Sequence, residues 1–217
     1  MTAARREAFE AVDLYPVTGA AQSAGRSTLE VVAALVEAGC RAVQLREKEL
    51  SKREYYLLAR QVRRVARDVL LICNDHLDVA QAVGADGVHL GQDDLPVAVA
   101  RALAPELLVG ASAHSLEQAL AARRAGADYV NIGPIFPTRT KREGARPLGV
   151  EALELIAPHL DLPFTVMGGI NEGNIDVVLR RGARRVAVVS AVTAAPDVRA
   201  AAAALRRRIL ACPRQAG

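Results

Sequence analysis

Short apolar and β-branched runs alternate with longer stretches of helical periodicity from one end of the chain to the other, the pattern of parallel strands joined by helical crossovers. The runs predict strands at Leu14 to Thr18, Ala42 to Arg46, Leu70 to Asn74, Gly87 to Leu90, Leu107 to Ala111, Tyr129 to Ile132, Phe164 to Gly168 and Arg185 to Ser190. Helical patterns lie between them, among them Leu29 to Ala38, Ser51 to Arg67, Leu116 to Arg124 and Val198 to Leu210. A weak repeat organises the series. Gly39 (AGCRAV), Gly84 (VGADGV), Gly126 (AGADYV) and Gly182 (RGARRV) each stand where a helix ends in a left-handed turn and the next strand begins. Each copy spans two strand and helix pairs, so four copies predict eight strands, the number at which a parallel sheet closes on itself. The expected fold is therefore a single (βα)8 TIM barrel over residues 1–217, with 1–12 as an N-terminal extension and 212–217 as a C-terminal tail. An open, doubly wound sheet is the alternative, but only Thr18 and Gly19 follow the first strand where a dinucleotide fold carries its glycine-rich turn.

Composition narrows the class. At 217 residues and 51% hydrophobic content, the chain can bury one large core. No apolar run reaches the length of a membrane span, and Met1 to Glu10 holds four charged residues rather than an apolar leader core, which predicts a cytoplasmic protein. Cys40, Cys73 and Cys212 are odd in number and far apart, and read as reduced fillers. The net charge of +4 would permit nucleic-acid binding, but scattered arginines and seven aromatic residues without tryptophan make no stacking platform. Phosphorylated small molecules suit the excess of cations better.

In a parallel barrel the chemistry gathers at the carboxyl ends of the strands. After the sixth strand comes GPIFPTRTK, Gly133 to Lys141, whose prolines stop regular structure and present Thr138, Thr140 and Lys141 as donors to an anion. Only three of the 28 basic residues are lysines, and two of those, Lys48 and Lys141, fall in candidate motifs. The second strand ends Gln44-Leu45-Arg46-Glu47-Lys48, and a period of two puts Gln44, Arg46 and Lys48 on one face as an anion grip, with Glu47 turned away. The third ends at Asn74 and Asp75 and the fourth at HLGQDD, so carboxylates from adjacent strands meet that grip, the donor set of a magnesium ion shared with phosphate oxygens. Asp75 and Asp94 are the expected ligands, with Asp93 equal to Asp94 on spacing. His76, His89 and His114 also fall near strand ends and read as packing residues, since close zinc partners are missing. His159 reads as a surface residue. Ser112 ends the fifth strand without the flanking glycines of a nucleophile elbow. Gly168 and Gly169 let backbone amides approach an anion beside Val188, Val189 and Ser190.

The ordered series QLREK, ND, GVHLGQDD, GASAH, GPIFPTRTK, GGI and VVS, spread from about Leu14 to Ala211, resembles the thiamine phosphate synthase family. That resemblance implies a transferase that moves an aminopyrimidine methyl group from its pyrophosphate to the nitrogen of a thiazole phosphate, with Mg2+. By similarity, Gln44, Arg46, Lys48, Asn74, Ser112 and Lys141 hold the pyrimidine pyrophosphate, and Arg46, Lys48, Ser112 and Lys141 are its catalytic set. Asp75 and Asp94 hold the metal, and Thr138, Arg139, Thr140, Gly169, Val189 and Ser190 receive the thiazole phosphate. Gly19 and Met167 depart from the commoner family residues at their positions. Small-molecule substrates, neither nucleic acid nor membrane, and a homo-oligomer complete the expectation. The rival readings are a thiazole phosphate tautomerase on the same barrel and a noncatalytic barrel that senses a phosphorylated metabolite.

Overall fold

The computed structural model describes residues 2–138 and 146–213. Its elements run α1 (Thr2–Glu10), β1 (Leu14–Pro16), α2 (Thr28–Glu37), β2 (Ala42–Leu45), α3 (Lys52–Val65), β3 (Leu70–Asn74), α4 (Leu77–Ala82), β4 (Gly87–Leu90), α5 (Val97–Leu103) and β5 (Leu108–Ala113). The second half continues α6 (Leu116–Arg124), β6 (Tyr129–Ile132), α7 (Glu151–Ile156), β7 (Phe164–Val166), α8 (Ile175–Arg180), β8 (Val186–Val188), α9 (Ser190–Thr193) and α10 (Val198–Ala211). All strands pair in parallel in the order β1-β8-β7-β6-β5-β4-β3-β2. A bridge between Val17 and Gln44, with the Thr18 amide donating to Gln44 O at 2.9 Å, joins the two ends and closes the barrel. The eight expected strands are all present. Gly39, Gly84, Gly126 and Gly182 have φ of 77°, 64°, 91° and 86°, so each helix preceding an even-numbered strand does end through a left-handed glycine.

Side-chain alternation divides the core in two. Val43, Leu45, Leu71, Cys73, Val88, Val109, Val130, Ile132 and Val166 face outward and pack beneath the helices. Inside the barrel, Tyr15, Ala42, Leu70, Ile72, Leu108, Tyr129 and Ala187 form a separate cluster with Phe9 and Val12. Small residues make room for the rings: a Cβ on Gly110 would lie 2.1 Å from the Tyr129 ring. Burial pushes the Cys40 and Cys73 thiols up to about 12, which suits inert core fillers.

The stretch expected to be a mere N-terminal extension is part of the barrel. It forms α1, which lies under the amino ends of the strands, where Phe9 stacks on Tyr129 at 4.1 Å and meets Tyr15 edge-on at 5.8 Å. Arg5 donates to Asp86 (3.3 Å) and to Glu106 O (2.7 Å), and Arg6 pairs with Asp128 at 2.5 Å. Asp86 also accepts from Arg63 (2.7 Å) and from the amide of Leu71 (2.9 Å), and Asp128 accepts from Arg101 and the amide of Val109 (2.8 Å). Asp13 takes both ends of the Arg206 guanidinium at 2.9 Å each. Aspartates at strand starts thus bind neighbouring strands to surrounding helices, and many arginines are engaged there rather than with substrate. At the far end, Cys212 and Pro213 rest against α8 and Arg184.

If α1 seals the barrel floor, Phe9→Ala leaves a cavity beneath Tyr129 and costs about 3–5 kcal/mol of unfolding free energy. Urea denaturation followed by circular dichroism reads this, and a loss below about 1 kcal/mol would show that the wedge bears no weight.

Candidate active site

Above the aromatic layer the inward positions turn polar: Gln44, Asn74, His89, Ser112, Asn131 and Thr165 are all buried. They line or underlie a cavity of about 490 Å³ at the carboxyl ends of the strands, a volume in the range of small-molecule sites. Strand geometry supplies the arrangement. On β2 and the residues after it, Gln44, Arg46 and Lys48 face the cavity. Glu47 points the other way and is buried, accepting from the Ala20 amide and the Thr28 hydroxyl at 2.8 Å each. A carboxylate so engaged does not neutralise the grip. Arg46 is in turn fixed by its own amide donating to Thr18 Oγ1 at 3.0 Å.

Asp75 follows β3 in a left-handed conformation, φ 63°, which aspartate tolerates better than most residues. The turn aims its carboxyl at the cavity, where it meets Lys48 on one side and Asp94 on the other. Asn74 Nδ2 adds a bond to Asp75 Oδ1 at 2.5 Å. Burial, then the neighbouring Asp94, pushes Asp75 above the ordinary carboxylate range, with Lys48 pulling against them. Burial pushes Asp94 up as well, but the Asp75 hydrogen bond and the Gly91 amide (2.6 Å) outweigh it and hold Asp94 low. The two carboxyls therefore lie in one another's field, each changing how readily the other holds a proton, an arrangement a divalent cation can relieve. Asp93, equal to Asp94 on spacing, is exposed and does not line the cavity. The buried Asn74 Oδ1 has no hydrogen-bond partner among the described residues.

The opposite wall comes from β6 to β8. Gly168 and Gly169, with φ of 104° and 64°, wrap against the loop after β6, where the amides of Ile135 and Phe136 donate to Met167 O (2.8 Å) and Gly168 O (3.0 Å). A Cβ on Gly168 would lie 2.5 Å from Pro134 Cα, and one on Gly169 would lie 2.4 Å from Pro137 O. Asn174 and Asn171 brace the turn through Gly169 O at 2.9 and 3.2 Å. Thr138, Gly169, Val189 and Ser190 border the cavity here.

Of the residues singled out from sequence, Gln44, Arg46, Lys48, Asn74, Asp75, Asp94, Ser112, Thr138, Gly169, Val189 and Ser190 meet at this one cavity. Arg139, Thr140 and Lys141 lie outside the described residues. The histidines divide. His76 packs edge-on against Tyr55 at 4.6 Å, and His159 is exposed. His89 and His114 reach the cavity wall, His89 bonded to Tyr129 (3.1 Å) and Ser112 (3.0 Å), His114 to Gly133 O. Tyr15, Asn131 and Met167 also line the cavity. The signal for Tyr15 and Asn131 was present: each breaks an otherwise apolar strand at an inward position.

A family model described as thiamine monophosphate synthase matches residues 14–192. The thiamine-phosphate synthase of Chloroflexus aurantiacus is 51% identical over 195 residues, covering 89% of this chain and 90% of that protein. That of Pelotomaculum thermopropionicum is 45% identical over 197 residues, with 89% and 90% covered. Among solved structures, the thiamine phosphate pyrophosphorylase from Pyrococcus furiosus superposes with a TM-score of 0.86 at 40% identity, covering 94% of this chain and 97% of that one. A 3-hexulose-6-phosphate synthase at 22% identity and a TM-score of 0.69 shares the fold.

The glycine turn gives a direct test of the far wall. Gly168→Ala demands an unfavourable φ and a displaced Pro134, and should lower stability by about 1–3 kcal/mol in urea titrations. A neutral outcome would mean that the turn and the loop after β6 do not interlock as described.

Proposed function

The chain belongs to the thiamine monophosphate synthase family, whose members are transferases, and from that premise we propose that this cavity joins an aminopyrimidine pyrophosphate to a thiazole phosphate, giving thiamine phosphate and pyrophosphate. The observation that carries the reading is the meeting of Arg46, Lys48 and the adjacent carboxyls of Asp75 and Asp94 at one wall, opposite the glycine turn and Ser190. One wall suits a departing diphosphate. The other offers hydroxyl and backbone groups to the phosphate of the second substrate.

The electron count needs no base. The bond between the pyrimidine methylene carbon and the pyrophosphate oxygen breaks with its electron pair on oxygen, while the thiazole nitrogen lone pair forms the new carbon–nitrogen bond. Because that nitrogen carries no proton, none has to be removed. The aminopyrimidine ring delocalises positive charge as the bond breaks, so the chain's main task is to receive negative charge as it builds on the leaving group. Arg46 and Lys48 supply fixed cations there, and Lys48 is held in place by Asp75. Gln44, Asn74 and Ser112 present polar groups to the pyrimidine pyrophosphate, and one cavity holds both partners in reach of each other.

Asp75 and Asp94 fit a magnesium site, since two adjacent carboxyls beside a lysine are the donor set this hard cation takes with phosphate oxygens. When bound, magnesium would offset charge on the pyrophosphate. A cytoplasmic setting is in keeping with such a role, and among the described residues no helix is long and apolar enough to cross a membrane.

Purified protein given both substrates and magnesium should release pyrophosphate and form thiamine phosphate, with Asp75→Ala and Lys48→Ala each slowing turnover at least about a hundredfold. Isomerised thiazole phosphate without pyrophosphate would select the tautomerase, and thiazole phosphate binding with neither reaction would select the sensor. Metal binding has its own pH signature. Asp75 stands above its ordinary range and must lose its proton for the cation to seat, so magnesium affinity is full above that raised value and falls as pH drops through it. Calorimetry over a pH series that reaches down through the carboxylate range should show this fall; affinity indifferent to pH throughout would count against the pair as ligands.

A further inference from the structure

Five of the polar side chains inside the barrel form a hydrogen-bonded series that runs from β2 to β5. Gln44 Nε2 lies 3.0 Å from Tyr15 Oη, Tyr15 Oη 2.9 Å from Tyr129 Oη, Tyr129 Oη 3.1 Å from His89 Nδ1, and His89 Nε2 3.0 Å from Ser112 Oγ. All five residues are buried, and Phe9 covers the Tyr129 ring from below. Burial also raises both phenol pKa values, so neither ionises and interrupts the series near neutral pH.

Each hydroxyl has one proton, and an imidazole carrying one proton has one donor and one acceptor, so once each buried tyrosine proton must be bonded within the series, the direction of any one link determines the others. Two directions exist. In the first, Ser112 donates to His89, His89 Nδ1–H to Tyr129, Tyr129 to Tyr15, and Tyr15 to an outward-turned Gln44 carbonyl. Ser112 would then offer only lone pairs to the cavity in which Arg46 and Lys48 await an anion, and its contact with that anion would be repulsive. In the second, the Gln44 amide donates to Tyr15, Tyr15 to Tyr129, Tyr129 to His89 Nδ1, and His89 Nε2–H to Ser112. The Ser112 proton is then the one left over, and it faces the cavity.

We propose that Tyr15, Tyr129 and His89 are positioning residues that hold His89 as its Nε2–H tautomer and thereby make Ser112 a hydrogen-bond donor toward the pyrophosphate. This rests on the reading above that the cavity takes a pyrophosphate beside Arg46 and Lys48. Gln44 sets the direction from one end of the series and Ser112 delivers it at the other. The aromatic floor of the barrel is thus joined to the reacting region through protons rather than through backbone alone.

The test reads the tautomer itself. Full-chain protein labelled with 15N-histidine, free of substrates, gives long-range 1H–15N correlations that distinguish a proton on Nε2 from one on Nδ1, and the His89 pattern is the one lost in His89→Gln. Wild type should show Nε2–H at His89. A proton on Nδ1, or on both nitrogens, overturns the proposal, and this measurement needs no variant of the tyrosines to fold. In turnover, Tyr129→Phe should slow pyrophosphate release about tenfold, the worth of roughly one hydrogen bond, and Tyr15→Phe less, because Tyr129 keeps its donation to His89. On a Ser112→Ala background, Tyr129→Phe should change almost nothing further. Independent, multiplying losses would show that the tyrosine does not act through Ser112. The tautomer is read without substrate, so a wild type that shows Nε2–H yet releases no pyrophosphate counts against the proposed reaction and not against the direction of the series.

Discussion

A parallel sheet closed on itself has an interior that must be filled, and every second residue of every strand points into it. Here that requirement is met in two tiers. The lower holds Phe9, Tyr15 and Tyr129 with small neighbours that yield space, and the upper holds polar groups, several of them bonded to one another, that open upward. Because all the strands are parallel, their carboxyl ends share one rim, so the polar tier and the cavity above it come from every part of the sequence at once. The site is the unfilled top of a core whose filled bottom is aromatic.

Charge is divided along the same axis. At the amino ends of the strands, Asp13, Asp86 and Asp128 are matched by Arg206, by Arg5 and Arg63, and by Arg6 and Arg101, with backbone amides taking part. Each of these acids is satisfied by groups within the fold. At the carboxyl ends the balance among the described residues is left incomplete: Asp75 and Asp94 face each other beside the exposed Lys48, and Asn74 Oδ1 is unpaired. Groups satisfied on folding stabilise the barrel, whereas groups left wanting a partner favour whatever ligand supplies it. That contrast separates the structural charges from the functional ones better than composition could, since both ends draw on the same residue types.

The fold was legible because alternation and glycine-marked helix ends are local properties. The four repeated glycines and all eight strands stand where the pattern puts them, with boundaries exact or off by one or two residues, as at Thr18, where the chain still bonds to Gln44 past the end of β1, and at Ser190, which opens α9. The first helix was not legible as part of the barrel, because its worth lies in Phe9 meeting Tyr129 across more than a hundred residues. The choice between Asp93 and Asp94 was open in sequence for a related reason: both satisfy the spacing, and only the turn through Gly91 aims Asp94 at Asp75. His89 has a short local motif around it, but its partners Tyr129 and Ser112 come from other strands.

By itself, then, the order of residues determined the eightfold strand and helix pattern, the rim at which chemistry gathers, and most of the side chains that stand there, because period and turn chemistry act over a few neighbouring positions. Only the closed barrel decided which acids touch, that the amino-terminal helix is the floor, and that two tyrosines run to Ser112 through one imidazole. Those contacts depend on register across the whole sheet, and register exists only once β1 and β2 have met.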